Sequence, residues 1–321
     1  MSSIRWAFNT RLWVNSAENW KMCLSSIQKE EVERLSEFVF QNSAVSSMIG
    51  RLLLRRWASK CLSLSWTDVQ FGRTDKGRPY LVWPQCYKHS RDVDGNVSHQ
   101  GDWVVFASCG DGAKIGVDVM KVEYAGGKSV PEFFRLMKRQ FTAQEWSVIM
   151  SGHNDMTQLA SFYRHWCLKE AVVKALGIGI GYDLQRISFQ VASETLSEAT
   201  VTRDTTVEID GVPDNRWCFE ECKLDDQHSA AVACIPASGK REDSSLVTLS
   251  AVSNLVQSSN LSSNEDGVGA TQAADCSMGV DKCCGFELLS LDEILSDLGE
   301  LSPVTDELVQ LFMKKERAAW L

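Results

Sequence analysis

The 321-residue sequence predicts an α+β fold of two similar halves followed by a polar tail, and three observations carry that expectation. Short runs rich in β-branched and aromatic residues occur in the order strand, helices, strands, helices, strands, which is not the strict alternation of a parallel βαβ fold. Hydrophobic residues make up 44% of the chain, with 11 Trp and 13 Phe to fill a core, so the chain as a whole is not disordered. After Ala237 the composition shifts to Ser, Asn, Gly and acidic residues, with scarcely an aromatic before Phe286, and residues 237–321 are expected to be a largely disordered tail.

Arg5–Val14 mixes aromatic and β-branched residues over a short run and reads as the first strand. A helical stretch follows over Lys29–Leu62, broken near Asn42–Ser43 where polar turn formers interrupt the apolar spacing. Strands are expected at Asp68–Gly72, Pro79–Trp83, Trp103–Ser108 and Lys114–Met120, with a loop rich in Asp, His, Gly and Asn over Gln85–Gln100. These elements make an N-terminal α+β half, residues 1–122.

In the C-terminal half, residues 123–236, Pro131 suits the first turn of a helix that includes Phe133–Arg139. Thr142-Ala143-Gln144-Glu145 has the spacing of a capping box. A helix from Met156 to Leu176 is stopped by Gly177 and Gly179, and strand candidates follow at Arg186–Val191, Val201–Ile209, Arg216–Lys223 and Ser229–Ile235. In the tail, Ser290-Leu291-Asp292-Glu293 has the spacing to cap a helix through Leu298, and Thr305–Trp320 has the spacing of another. Both suit transient, solvated helices better than partner-binding ones. A chain ending near 236 is therefore expected to keep its activity.

The net charge of −9 belongs to the tail: residues 1–236 hold 27 Lys+Arg against 28 Asp+Glu, and residues 237–321 hold 6 against 14. The nearly neutral folded part gives no general reason to expect nucleic-acid binding. Eleven cysteines without a CxxC pair fit reduced thiols in the cytosol. No leader-like apolar segment opens the chain and no window reaches eighteen uninterrupted apolar residues, so neither secretion nor membrane spanning is expected.

Four stretches carry residues able to do chemistry. On the helix through Trp166–Lys174, Phe162, Trp166 and Val173 share a face with Lys169 among them, Glu170 lies at its edge, and Lys174 follows one turn later. Glu170 with Lys174 also has the spacing of an ordinary surface pair, but ionised groups beside buried aromatics need a partner or a ligand. Asp118 closes the Ile115-Gly116-Val117 strand, a position equally suited to a turn former. Asn96-Val97-Ser98-His99 sits in a polar stretch able to hold phosphate oxygens or simply to face solvent. Arg73-Thr74-Asp75-Lys76-Gly77-Arg78-Pro79 is a basic turn, either a solvated hairpin loop or a grip for an anionic nucleotide.

Taken in order, Gly50–Leu53, Lys76–Pro79, Asn96–Asp102, Gly116–Met120, Phe141–Trp146 and Phe162–Ala171 resemble the Sfp-type 4′-phosphopantetheinyl transferase superfamily, and its animal branch in particular. The resemblance runs over nearly all of residues 5–236. It implies a monomer of two pseudo-symmetric halves with coenzyme A as co-substrate in the cleft between them, and apo acyl or peptidyl carrier domains as partners. By position, Asp118 and Glu170 would hold Mg2+, and Lys174 would neutralise the diphosphate. Arg34 and Arg73, Thr74, Asp75, Lys76, Gly77 and Arg78 would grip the nucleotide. Asn96, Val97, Ser98 and His99 would contact its phosphates, with Lys169 in support. Glu170 would also be the general base.

The chain departs from many bacterial relatives in having Met120, a poor magnesium ligand, where they place a second acid. It also has no basic residue over Asn42–Ser46 for the 3′-phosphate, leaving that task to Arg34 or Arg51. The competing reading is a non-catalytic module that binds coenzyme A or a carrier domain.

Overall fold

In the computed structural model, residues 3–82, 93–123, 127–179, 181–237, 282–283, 285–296 and 299–317 are described. The first strand, β1 (Ile4–Asn9), ends earlier than its composition suggests, because the Asn9 side chain accepts the Arg11 N–H and starts a 3₁₀ turn. Ser16 then caps an unforeseen helix, α1 (Ala17–Ser25), by accepting from Asn19 N. The long helical stretch divides into α2 (Lys29–Ser36) and α3 (Gln41–Leu62), so its break falls at 37–40 rather than at Asn42–Ser43. The physical reason lies at the other end of the chain: Lys315 Nζ donates to the carbonyls of Ser36 and Phe38, and Glu316 O accepts the Gln41 N–H.

A hairpin of β2 (Gln70–Arg73) and β3 (Pro79–Val82) follows, with Gly77 at φ +81° in its turn. Trp83 and residues 85–92 of the expected loop lie outside the described residues. The rest of that loop is a strand, β4 (Asp94–Gln100), paired antiparallel with β5 (Trp103–Cys109), which in turn pairs with β1. Strand β6 (Lys114–Lys121) runs one residue past the expected Met120, and Asp118 lies in its interior, not at the end of a strand closed at Val117.

The second part supplies α4 (Val130–Met137), α5 (Ala143–Met150) and α6 (Asp155–Leu176). It then supplies β7 (Ile187–Gln190), β8 (Thr206–Ile209), β9 (Val212–Pro213), β10 (Cys218–Lys223) and β11 (His228–Ile235). The Thr142–Glu145 capping box forms, and α6 stops at Gly177 in the left-handed conformation at φ 67°. The expected strand over Val201–Ile209 splits into a bridge at Thr202 and the shorter β8.

Strand β6 pairs with β11, and β11 with β10. Strand β6, within residues 1–122, thus shares a sheet with strands of residues 123–236, and the 110–113 turn separates it from β5 of the first sheet. On its other edge β6 meets β4 through side chains rather than a backbone ladder. Asp94 Oδ2, Asn96 Oδ1 and Gln100 Oε1 accept the N–H groups of Ile115, Val117 and Lys121 at 3.0, 3.0 and 2.6 Å. These acceptors recur at alternate positions, so they share one face of β4. The polar composition that resembles a loop is the hydrogen-bonding surface of a seam.

The end of the chain does not stay apart from the fold. Residues 238–281 are outside the description, but β12 (Lys282–Cys283) and β13 (Phe286–Leu288) extend the first sheet to the order β12-β13-β1-β5-β4, with β13 parallel to β1. Helices α7 (Leu291–Leu295) and α8 (Asp306–Met313) bury Ile294, Val309 and Phe312 in the core of the first half, where Phe312 stacks on Trp20 at 4.9 Å. Residues 286–296 and 299–317 thus form a packed strap where the sequence suggested only transient, solvated helices. The terminal turn of the helix expected over Thr305–Trp320 lies beyond the described residues.

Candidate active site

Helix α6 runs directly across β6. A Cβ on Gly116 would collide with the carbonyl oxygen of Ala171 and the backbone nitrogen of Ala175, so only glycine permits this approach. The contact fixes what flanks Ala171 and Ala175 on the helix: Glu170 and Lys174 come down beside Asp118. Arg78 holds the end of the helix, donating to the carbonyls of Lys174 at 2.7 Å and Ala175 at 3.1 Å. The same guanidinium bonds both oxygens of Asp94 and the Ile115 carbonyl. A cation at carbonyls of the last helical turn is favoured both as a hydrogen-bond donor and by the helix dipole.

Asp118 is only 4% exposed. Its Oδ1 accepts from Lys174 Nζ at 2.6 Å and from Ser98 Oγ at 2.7 Å, while Oδ2 is buried with no partner among the described residues. Lys174 Nζ also donates to Ser98 Oγ at 2.7 Å and to the Val117 carbonyl at 3.2 Å. Glu170 is half-buried and forms no hydrogen bond or ion pair among the described residues. Burial and the neighbouring Asp118 charge raise its pKa above the ordinary glutamate value, and Lys174 only partly offsets them.

Beside these groups opens a cleft of about 300 Å³, lined among others by Ser47, Gly50, Arg51, Arg73, Gly77 and His99, with Lys174 at its inner wall. His99 stands exposed on its rim. The crowded wall, then Lys174 and Arg51, push its pKa down to about 4. Because the ring itself meets solvent, the two cations are the firmer cause. Arg51 and Arg73 are both held by Glu31, which is 8% exposed. Burial works to raise the Glu31 pKa, but the two arginines outweigh it and hold it below the usual value.

The structure thus gathers Asp118, Glu170, Lys174 and Ser98 at one point, with Val97, His99, Arg73 and Gly77 along the cleft. Other expected residues stand elsewhere. Arg34 is exposed on α2, close enough to Arg51 to act on its charge, so of the two arginines left open Arg51 is the one lining the cleft. Thr74, Asp75 and Lys76 are exposed in the hairpin turn. Arg78 is committed to the seam and to the end of α6, and the Asn96 side chain to Val117 N. Lys169 points away: fully buried, it donates to the carbonyls of Leu184 at 2.7 Å and Ile187 at 2.6 Å and pairs with Glu145 at 2.8 Å. Burial lowers its pKa, against the pull of Glu145. Met120, half-buried, packs against apolar residues of the second half.

Glu31, Ser47 and Asp94 went unread in the sequence. Ser47 stands one helical turn before Arg51 and was open to a spacing argument. Glu31 looks like a first-turn acid of α2 and shows no other sign. Among the described residues no group of three or more His, Cys, Asp or Glu side chains could hold a metal ion. What the site offers such an ion is the oxygen pair of Asp118 and Glu170, one oxygen of which is buried and unpartnered.

Comparison with known proteins reports on the same residues. The N-terminal 4′-phosphopantetheinyl transferase family model matches residues 11–111, and the 4′-phosphopantetheinyl transferase superfamily model matches 114–233, meeting at the division between the sheets. The chain is 39% identical over 241 residues to the L-aminoadipate-semialdehyde dehydrogenase-phosphopantetheinyl transferase of Mus musculus, covering 75% of this chain and 77% of that one. It is 42% identical over 233 residues to the protein of the same name from Xenopus laevis, covering 73% and 76%. To the 4′-phosphopantetheinyl transferase of Bacillus subtilis it is 28% identical over 172 residues, covering 53% and 69%.

Proposed function

We propose, for a chain that belongs to the 4′-phosphopantetheinyl transferase superfamily, that Asp118 and Glu170 are its magnesium pair, that Lys174 meets the diphosphate of coenzyme A, and that Glu170 is the general base. The chain is a 4′-phosphopantetheinyl transferase: it moves the phosphopantetheine arm of coenzyme A to a serine hydroxyl of an apo acyl or peptidyl carrier domain and releases adenosine 3′,5′-bisphosphate. The observation that carries the assignment is the crossing of α6 over Gly116, which sets Glu170 and Lys174 against a buried aspartate with one oxygen partnerless among the described residues.

Carboxylate oxygens from two separate segments suit a hard cation that also takes phosphate oxygens as ligands. When bound, magnesium supplies positive charge that offsets the charge gathering on the phosphates. In the transfer the carrier serine oxygen bonds to the β-phosphorus, the bond from that phosphorus to the bridging oxygen breaks, and the serine proton passes to Glu170, directly or through a water. Burial and the neighbouring Asp118 charge raise the Glu170 pKa, which makes its carboxylate a stronger base than an ordinary glutamate. Lys174 offsets charge on the leaving bisphosphate. The exposed Arg34 and the cleft-lining Arg51 and Arg73 supply positive charge for the nucleotide end, and His99 and Ser98 border the phosphates.

On the same reading the protein is a cytosolic monomer acting on the carrier domains of fatty acid synthase and of an aminoadipate semialdehyde dehydrogenase, without nucleic-acid or membrane partners. Incubation with coenzyme A, magnesium and a panel of apo carrier domains, followed by mass spectrometry, is expected to add about 340 Da to one serine, the mass of the phosphoryl-linked arm. No gain on any carrier under conditions where the protein binds coenzyme A would favour the binding-module alternative.

A further inference from the structure

Lys174 has two duties that one position cannot serve. Its three N–H donors match three acceptors at the base of the cleft: Asp118 Oδ1 at 2.6 Å, Ser98 Oγ at 2.7 Å and the Val117 carbonyl at 3.2 Å. All three belong to strands β4 and β6, and of these groups the Ser98 side chain also lines the cleft. Yet the Lys174 side chain itself lines the cleft wall and is 28% exposed, against 6% for the Asp118 side chain. The aspartate is therefore the fixed member of the pair. The lysine is a flexible four-carbon stem standing at an opening.

A carboxylate this deep is costly without a cation beside it. Among the described residues the cation paired with it is Lys174, which bonds one of the two oxygens, while Oδ2 has no partner there. Glu170, one turn away, has no hydrogen-bonded or ion-paired partner among the described residues. The pair of carboxylates thus carries two charges and one resident cation.

We propose that Lys174 is a stand-in cation, which holds Asp118 until a divalent ion arrives and then swings from Asp118 Oδ1 into the cleft, so that metal entry and delivery of the ammonium to an anionic ligand are coupled. The inference rests on the assignment of Asp118 and Glu170 as the metal pair. It makes Lys174 an opponent of metal binding without a diphosphate and a supporter of it once a diphosphate offers the ammonium a second partner. Linkage makes this coupling reciprocal: the ligand tightens the ion by the factor by which the ion tightens the ligand.

The test reads metal binding, without turnover. Mn2+ is titrated into the full-length protein and the free ion followed by electron paramagnetic resonance, with and without coenzyme A, for the parent, Lys174→Met, Lys174→Gln, Lys174→Arg and Asp118→Asn, each checked for an unchanged melting temperature. Without coenzyme A, Lys174→Met and Lys174→Gln are expected to bind Mn2+ about tenfold more tightly than the parent, because a unit charge in contact with the ligand oxygen is gone. Lys174→Arg, which keeps the charge, is expected to stay within about twofold. Coenzyme A is expected to tighten Mn2+ in the parent and to do so less in Lys174→Met. Unchanged or weaker Mn2+ binding in both neutral variants, with Asp118→Asn abolishing it, overturns the stand-in role and leaves the metal pair intact. Parent-like binding in Asp118→Asn overturns both.

Discussion

Two lysines five residues apart on α6 face opposite fates. Lys169 lies in the core of the second half with an anion and two carbonyls around it, and nothing is left over. Lys174 lies at the cleft beside an aspartate whose second oxygen, and a glutamate whose side chain, has no hydrogen-bonding partner among the described residues. The same division runs along the helix. Arg164 makes two bonds to Glu221, at 2.7 and 2.9 Å, and a third to the Ser193 carbonyl. A buried charge whose complement is complete holds the fold. One whose complement is incomplete is open to a ligand.

Lys315, half-buried, also serves the fold, since its ammonium donates to the Ser36 and Phe38 carbonyls, and it yields the largest effect. Truncation after Ala237 removes the strap with its buried Phe286, Leu289, Ile294, Val309 and Phe312. At about 1.5–3 kcal/mol for each such side chain, the loss is on the order of 10 kcal/mol, comparable to the whole stability of a domain. The truncated chain is expected to be insoluble or molten by circular dichroism and calorimetry, which reverses the expectation from composition. A truncated chain with a parent-like melting temperature would remove Lys315 and its neighbours from the structural class.

On the cleft side of the comparison, Glu170→Ala is expected to lower kcat about a thousandfold or more, on the order of 4 kcal/mol of transition-state stabilisation. Its melting temperature should stay within about 2 °C, since the removed side chain has no partner to abandon. Steady-state kinetics with a saturating apo carrier reads the first quantity and calorimetry the second. Lys169→Met should do the reverse. It leaves Glu145 buried without its cation and the Leu184 and Ile187 carbonyls without a donor, a loss of about 3 kcal/mol measurable by urea unfolding. The KM for coenzyme A in the folded fraction should be unchanged. A raised KM with parent stability would return Lys169 to the cofactor site that the sequence suggested and break the comparison.

How much of this was legible follows the same physical line. Helix α6, its glycine stop and the Thr142–Glu145 box are written in local spacing, so sequence finds them, and the proposed set of Asp118, Glu170 and Lys174 rests on the order of motifs, with the structure bringing the three side by side. What sequence cannot show is which charges already have partners. Arg78 looks like a nucleotide grip because its partners, Asp94 and the last carbonyls of α6, are 16 and 96 residues away. Strand β4 reads as a loop because its polar side chains stand in for a missing ladder. The strap hides behind a low-complexity stretch, and the break between α2 and α3 needs Lys315 and Glu316 from 277 and 275 residues on.

The smallest expected effect tests how far the Lys174 charge reaches the cleft although its three donors are matched. The His99 pKa is pushed down to about 4 by crowding and by Lys174 and Arg51, from an ordinary 6.5. Between those values the unfolded chain binds a proton that the folded one refuses, so this residue's contribution to stability rises with pH across that window. Exposure of the ring keeps that contribution small, and a direct titration is the better measurement. In Lys174→Met a positive neighbour is gone, the imidazolium is disfavoured less, and the His99 pKa followed by proton–carbon NMR should move up toward 6.5. Had Asp118 and Ser98 neutralised Lys174 as fully as Glu145 and its carbonyls neutralise Lys169, the His99 titration would stay where it is, and the two lysines would belong to one class.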